Sequence, residues 1–180
     1  EHGAEMELPP DSLLQAAEVL GDAGWTSSLI TTNNFLSSSA NNAQGFDDEM
    51  MLMPHEGDGA TVTEEGIEAM EDLAATGEPW YLHVHYLDPH SPYDPPDDYL
   101  DGLDELDPIS WDLTVEGEMR DMMEQWSSID SDTQELIKQH LQIRYLGELS
   151  YVDAQVGALL DAAEAGGYLD NTLVVFWTDH

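Results

Sequence analysis

The sequence of Trp80–Tyr93 is WYLHVHYLDPHSPY. Bulky apolar residues alternate with histidine at the strand period of two. Leu82, Val84 and Tyr86 therefore share one face, and Tyr81, His83 and His85 the other. The alternation stops at Asp88-Pro89-His90-Ser91-Pro92. Proline cannot donate to a strand ladder, so Pro89 and Pro92 end the strand and stiffen the loop around His90. A histidine held just past a strand end sits where open α/β sheets place their chemistry.

Working outward, the elements alternate between helix and strand. Ser12-Leu-Leu-Gln15 has a capping-box pattern and predicts a helix with Leu13, Leu14, Ala17 and Leu20 on one stripe, stopped at Gly24. Ser27–Thr31 predicts a short strand, followed by a long Asn- and Ser-rich loop to Gly45. Thr61–Glu64 predicts a cap for a helix running to Ala75, closed by Gly77. Asp94–Trp111, rich in Pro and Asp, reads as a surface excursion, and Met119–Trp126 as a short helix. Ser131–Gln134 opens the longest helix, which runs to Ala165 with Ile137, Leu141, Tyr145, Leu149, Val152, Val156 and Leu160 as its buried stripe. Arg144 and Glu148 form an i,i+4 pair on it. Gly166-Gly167 end it, Asp170-Asn171 turn, and Thr172–Thr178 (TLVVFWT) predicts a strand buried on both faces. The order α-β-α-β-α-β predicts an α/β fold: three layers, α/β/α, around a mostly parallel sheet.

Composition narrows the function classes. The chain has 180 residues and carries 39 Asp plus Glu against three basic residues, for a net charge of −36. With 41% hydrophobic residues, five Trp and clear periodicities, disorder fits poorly. A folded protein of a salt-in halophile's cytoplasm fits better, because concentrated salt screens such self-repulsion. Nucleic-acid binding and docking on anionic lipid are excluded for want of a basic patch. No apolar run approaches the roughly 20 residues of a membrane span. Cysteine is absent, so this chain holds neither disulfides nor thiolate metal sites. Glu1 in place of Met, and an end at His180 directly after an apolar run, read as a piece of a longer protein.

Two predicted strands end in polar clusters, Asp88-Pro89-His90 and Thr178-Asp179-His180. Parallel strands put such ends on one rim, which predicts that His90, Asp179 and His180 lie near one another. Asp179 offers a hard oxygen and His180 a borderline nitrogen, a donor pair for a divalent metal; a turn residue is the alternative for Asp179. For His90, a chemical role and a plain loop histidine are about evenly matched. His83 and His85 read first as satisfied core histidines, with His85, nearer the strand end, the better site candidate. His2, His55 and His140 have no supporting constellation. The acidic clusters at 47–49, 97–98 and 104–105 read as solvated surface rather than calcium sites.

These residues resemble a family. PWYLHVHYLDPHSPYDPP is similar to the central signature of the sulfatases, in the alkaline phosphatase superfamily, where a strand runs into a PHxPY loop. RYLGELSYVDAQVGALLDAAEAGGYLDNTLVVFWTDH resembles the family's later helix–turn–strand block ending in Asp-His. GWTSSLITTNNFLSSSANNAQGFDD resembles its earlier region. The resemblance implies that residues 1–180 are part of one sulfatase-like catalytic domain that hydrolyses a small-molecule or glycan sulfate ester. It implies that His90 contacts the substrate sulfate or acts as general acid. It implies that Asp179 and His180 bind a divalent metal, calcium first, with magnesium, manganese or zinc as alternatives. The family's formylglycine nucleophile, made in a CxPxR-type motif, is expected upstream of Glu1, and none of the present residues supplies it. Two other functions fit less of this pattern: a phosphoesterase or phosphotransferase of the same superfamily, and a non-catalytic acidic binding module.

Overall fold

The computed structural model of the chain describes residues 8–52 and 58–178. Two compact units divide it, residues 1–86 with 156–180 and residues 87–155. The first unit holds a three-stranded, all-parallel sheet of order β2-β1-β3. β1 is Thr26–Thr31, β2 is Asp48–Met51 and β3 is Trp80–His85. In register, Thr31 stands beside Met51 on one side and His85 on the other, so all three strands finish on one rim. A mixed α/β architecture with a parallel sheet is therefore what the chain adopts, as its element order predicts.

The helices of this unit start where side chains satisfy their first N–H groups. α1 (Ala16–Asp22) begins after Gln15, whose backbone N–H donates to Glu18 Oε2 at 2.8 Å. The Ser12 capping box does not form, and the helix starts later than predicted. α2 (Gly59–Ala75) is capped by Asp58, whose Oδ1 accepts from the Thr61 N–H at 2.8 Å and the Thr61 hydroxyl at 2.9 Å. Its start precedes the predicted cap at Thr61, because Asp58 supplies the capping oxygen one turn earlier. The α2 face with Val62, Met70 and Leu73 is buried. A methyl group on Gly66 of this helix would meet Val84 at 3.2 Å and Leu159 at 3.5 Å, so helix and β3 approach as closely as glycine allows. Val84 thus points to α2, and so does Tyr86, whose hydroxyl lies 2.9 Å from Thr63 Oγ1. The predicted face of Leu82, Val84 and Tyr86 is the helix-covered one.

The strands of this unit differ from the sequence reading in two places. β2 is a strand that no pattern announces: Asp48-Glu49-Met50-Met51 lacks β-branched residues and earns its pairing from β1 alongside. Conversely, Thr172–Thr178 follows a short turn at Leu169–Asn171 but joins no ladder. Leu173 is 87% exposed and Phe176 79%. An apolar run becomes a buried strand only when a neighbour extends the ladder and both faces are covered, and among the described residues no ladder includes this run. Trp177 reaches the sheet, its ring 6.0 Å from that of His83.

The second unit contains α3 (Glu116–Gln125) and most of α4 (Ser131–Ala165). Its core is Leu113, Met122 and Ile137, with Trp111, Trp126 and Leu141 packed around them. α4 begins after Asp130, whose Oδ1 accepts from the Thr133 N–H at 3.0 Å, and it has the predicted length. Its buried stripe is displaced from the predicted one. Ile137, Gly147, Glu148 and Tyr151 are buried, whereas Tyr145, Leu149 and Leu160 are exposed. The apolar count favours one stripe, but the loop that packs on the helix selects another. Gly167 ends α4 with φ +72°, a left-handed conformation natural to glycine.

Candidate functional site

The rim of the sheet unit brings polar groups to the ends of β1 and β3. Thr31 and Thr32 are fully buried there. Thr31 Oγ1 accepts from the Asn33 N–H at 3.0 Å and lies 3.5 Å from His85 Nδ1. The Thr32 hydroxyl is buried and has no partner among the described residues. His85 is thus a half-buried rim histidine in contact with a threonine, at the strand's last position. The rim threonines escaped sequence reasoning, because Thr31 and Thr32 look like ordinary strand and loop residues.

His83, two positions earlier, belongs to an aromatic cluster. Its ring centroid lies 6.2 Å from Phe46, 6.4 Å from Tyr81 and 6.0 Å from Trp177. Burial, and secondarily the neighbouring His85, pushes its imidazole below the ordinary range. A neutral packed imidazole fits the core-histidine reading. Burial also raises the Tyr86 phenol, against a smaller opposing effect of its bond to Thr63.

The second unit carries the loop that opens with Leu87. His90 is exposed and stands between two cis peptide bonds, Asp88-Pro89 and Ser91-Pro92. The Ser91 hydroxyl donates to Met119 Sδ at 3.5 Å. Further on, Tyr93 packs edge-on against Tyr145 with centroids 5.4 Å apart, and Tyr99 against Tyr151 at the same separation. Arg144 Nη1 lies 3.6 Å from Asp94 Oδ1 and 3.5 Å from the Tyr93 carbonyl. Glu148 accepts from the Asp94 N–H at 2.7 Å. Arg144 and Glu148 therefore hold the loop, where the sequence suggested a pair with each other.

Asp179 and His180, the predicted metal ligands, lie outside the described residues, as do His2 and His55. Among the described residues no three His, Asp or Glu side chains gather as a metal site would require. The acidic clusters have local duties: Asp47 Oδ2 accepts from the Ser27 N–H at 2.8 Å, and Glu49 accepts from the Ser38 N–H at 3.0 Å. His140 Nε2 lies 2.9 Å from the Asp107 carbonyl, the contact of a loop-anchoring histidine. No helix of the described residues is long and apolar enough to cross a membrane.

A family model described as Sulfatase matches residues 17–180. The chain is 27% identical over 105 residues to an arylsulfatase of Clostridium perfringens, a match covering 57% of this chain and 22% of that protein. It is 27% identical over 138 residues to the iduronate 2-sulfatase of Mus musculus, covering 66% and 24%. Against the choline-sulfatase of Rhizobium meliloti it is 27% identical over 108 residues, covering 57% and 21%. The matches span less than a quarter of each of these relatives.

Proposed function

The chain belongs to the sulfatase family, and on that premise we propose that its full-length protein hydrolyses a sulfate ester. The single observation that carries the reading is the family match over residues 17–180, which includes the strand β3 and its PHSPY loop. That several similar proteins are themselves sulfatases favours sulfate over phosphate esters. The substrate class is a small-molecule or glycan sulfate ester.

His90 is the residue of this chain that meets the substrate. It is exposed, and prolines flank it on both sides. An imidazole so presented can donate a hydrogen bond to a sulfate oxygen or a proton to the departing alcohol, which leaves poorly as an alkoxide. His85 at the rim of the sheet is a lesser candidate for a catalytic role, with Thr31 Oγ1 3.5 Å away to orient its ring. Asp179 and His180 are proposed ligands of a divalent cation, most simply calcium, with magnesium, manganese or zinc as the alternatives. Their hard oxygen and imidazole nitrogen fit such a cation, which when bound offsets the charge of the sulfate oxygens. The nucleophile, a formylglycine in this reading, lies outside the present residues. Residues 1–180 form part of one catalytic domain, in a protein of a salt-rich cytoplasm; the net charge of −36 supports that setting.

The test uses 4-nitrophenyl sulfate and 4-nitrophenyl phosphate with the full-length protein. Turnover of the sulfate is expected, and His90→Ala should lower it by at least ~100-fold, as loss of a general acid does. Preference for the phosphate ester, or wild-type turnover in the variant, would refute the reading.

A further inference from the structure

Among the described residues, Glu148 is the buried charge-bearing side chain that the proposed mechanism leaves unused. It is 3% exposed, on the face of α4 that carries Tyr151. One carboxyl oxygen accepts from the Asp94 N–H at 2.7 Å, and the other, Oε2, is buried with no partner among the described residues. A buried carboxyl costs free energy unless it does something an apolar side chain cannot.

What it does is visible in the loop. Pro89, Pro92, Pro95 and Pro96 have no N–H, so this stretch is poor in donors with which to hold itself. Asp94, directly before Pro95, has one, and Glu148 takes it. Arg144, one turn earlier on α4, reaches the Tyr93 carbonyl and the Asp94 carboxylate. Gly147 lets the two segments touch: a methyl group there would meet the Tyr99 carbonyl at 2.7 Å and Pro95 Cγ at 2.8 Å. The chain four residues after His90 is thus clamped to a helix by a carboxyl and a guanidinium.

We propose that Glu148 is a positioning residue for His90: by fixing the backbone of Asp94 it sets how the proline-rich loop presents the histidine to substrate. This rests on the role proposed for His90 and adds a residue to it. Burial first, and then Asp88 and Asp94, lift the Glu148 carboxyl to about 7, opposed by the Asp94 N–H. Protonated or not, it retains an acceptor oxygen for that N–H, so the clamp persists on both sides of neutrality.

The experiment compares Glu148→Gln, which keeps an acceptor oxygen, with Glu148→Leu, which removes it, in the full-length protein. Thermal melts, amide hydrogen exchange over residues 87–96, and kcat and KM for 4-nitrophenyl sulfate are measured together. E148Q should keep slow exchange at Asp94 and a kcat within ~3-fold of wild type, because the hydrogen bond survives. E148L should melt no lower than wild type at pH 8, since an apolar replacement removes a buried charge. Yet its Asp94 amide should exchange at least ~10-fold faster, with kcat down ~10-fold or more and KM changed less, as a misplaced catalytic group would give. Unchanged exchange and kcat in E148L overturn the proposal. So do equal losses in both variants, which assign the effect to charge rather than to the acceptor. Glu148→Met replaces E148L if that variant does not fold, and failure of both to fold makes the role structural and ends the proposal. If the wild-type protein leaves the sulfate ester intact, the sulfatase reading fails, while the exchange data still decide whether Glu148 holds the loop.

Discussion

The sheet unit and the loop unit are held together by different physics. In the first, β1 is flanked by two strands, and Leu29, Ile30 and Val62 are almost completely buried. Its backbone polar groups are satisfied by the ladder, so apolar area does the stabilising. The second unit has no strand among the described residues, and side chains take over the work of the ladder. Asp130 starts α4, Arg144 and Glu148 grip Tyr93 and Asp94, and tyrosine pairs lock the loop to the helix. Such a unit tolerates a buried carboxyl because it needs an acceptor where no strand can provide one. The histidine-bearing loop thus depends on a few polar anchors, whereas the sheet depends on many apolar contacts.

The largest expected effect lies in the sheet unit. Ile30→Ala, at a side chain 1% exposed, should cost roughly 3–5 kcal/mol in denaturant unfolding at molar KCl. A cost under 1 kcal/mol would break the claim that apolar burial carries this unit.

The loop unit should instead answer to pH. The Glu148 carboxyl rises from 4.5 to about 7 on folding. The folded state therefore holds the proton more tightly than the unfolded one. Its stabilising contribution is complete below pH 4.5 and is lost as pH climbs through 7. At about 1.4 kcal/mol per unit, the loss approaches about 3 kcal/mol by pH 8. Glu148→Gln, which does not titrate, should gain on wild type across that window and match its trend below pH 4.5. Parallel stability profiles for the two proteins from pH 4 to 8 would show that the carboxyl titrates normally.

The smallest effect sharpens the contrast within the sheet unit. Val175 is 69% exposed, so Val175→Asp should change the stability of this 180-residue chain by no more than about 0.5 kcal/mol. A loss of several kcal/mol would mean that the apolar run 173–177 is covered after all.

Much of the fold was legible because its signals are local. The period-two alternation of Trp80–His85 and the length of Ser131–Ala165 each depend on residues within one element, and both appear as predicted. The PHSPY loop was legible for a similar reason, since proline restricts the backbone wherever it stands. Of the candidate site, His90 and His85 could be singled out from their place at a strand end, while Thr31, Thr32 and Glu148 could not. Glu148 is one of 39 acidic residues, and nothing in its neighbours distinguishes it as the one that is buried among the described residues. A hint exists only in hindsight: it stands eleven residues after Ile137 and three before Tyr151, at helical spacing on the buried face.

Local pattern along the chain set the strand Trp80–His85, the long helix α4, the parallel α/β class and the family. Tertiary structure alone decided which acidic run became a strand and which apolar run did not. Asp48–Met51 pairs because β1 lies beside it, whereas Thr172–Thr178 is part of no ladder among the described residues. Tertiary structure likewise decided the buried face of α4, because the segment Tyr93–Tyr99 packs there and brings a backbone N–H that one carboxylate must meet. Periodicity is written along the chain, but a partner for a backbone group or a buried charge exists only once the chain has folded.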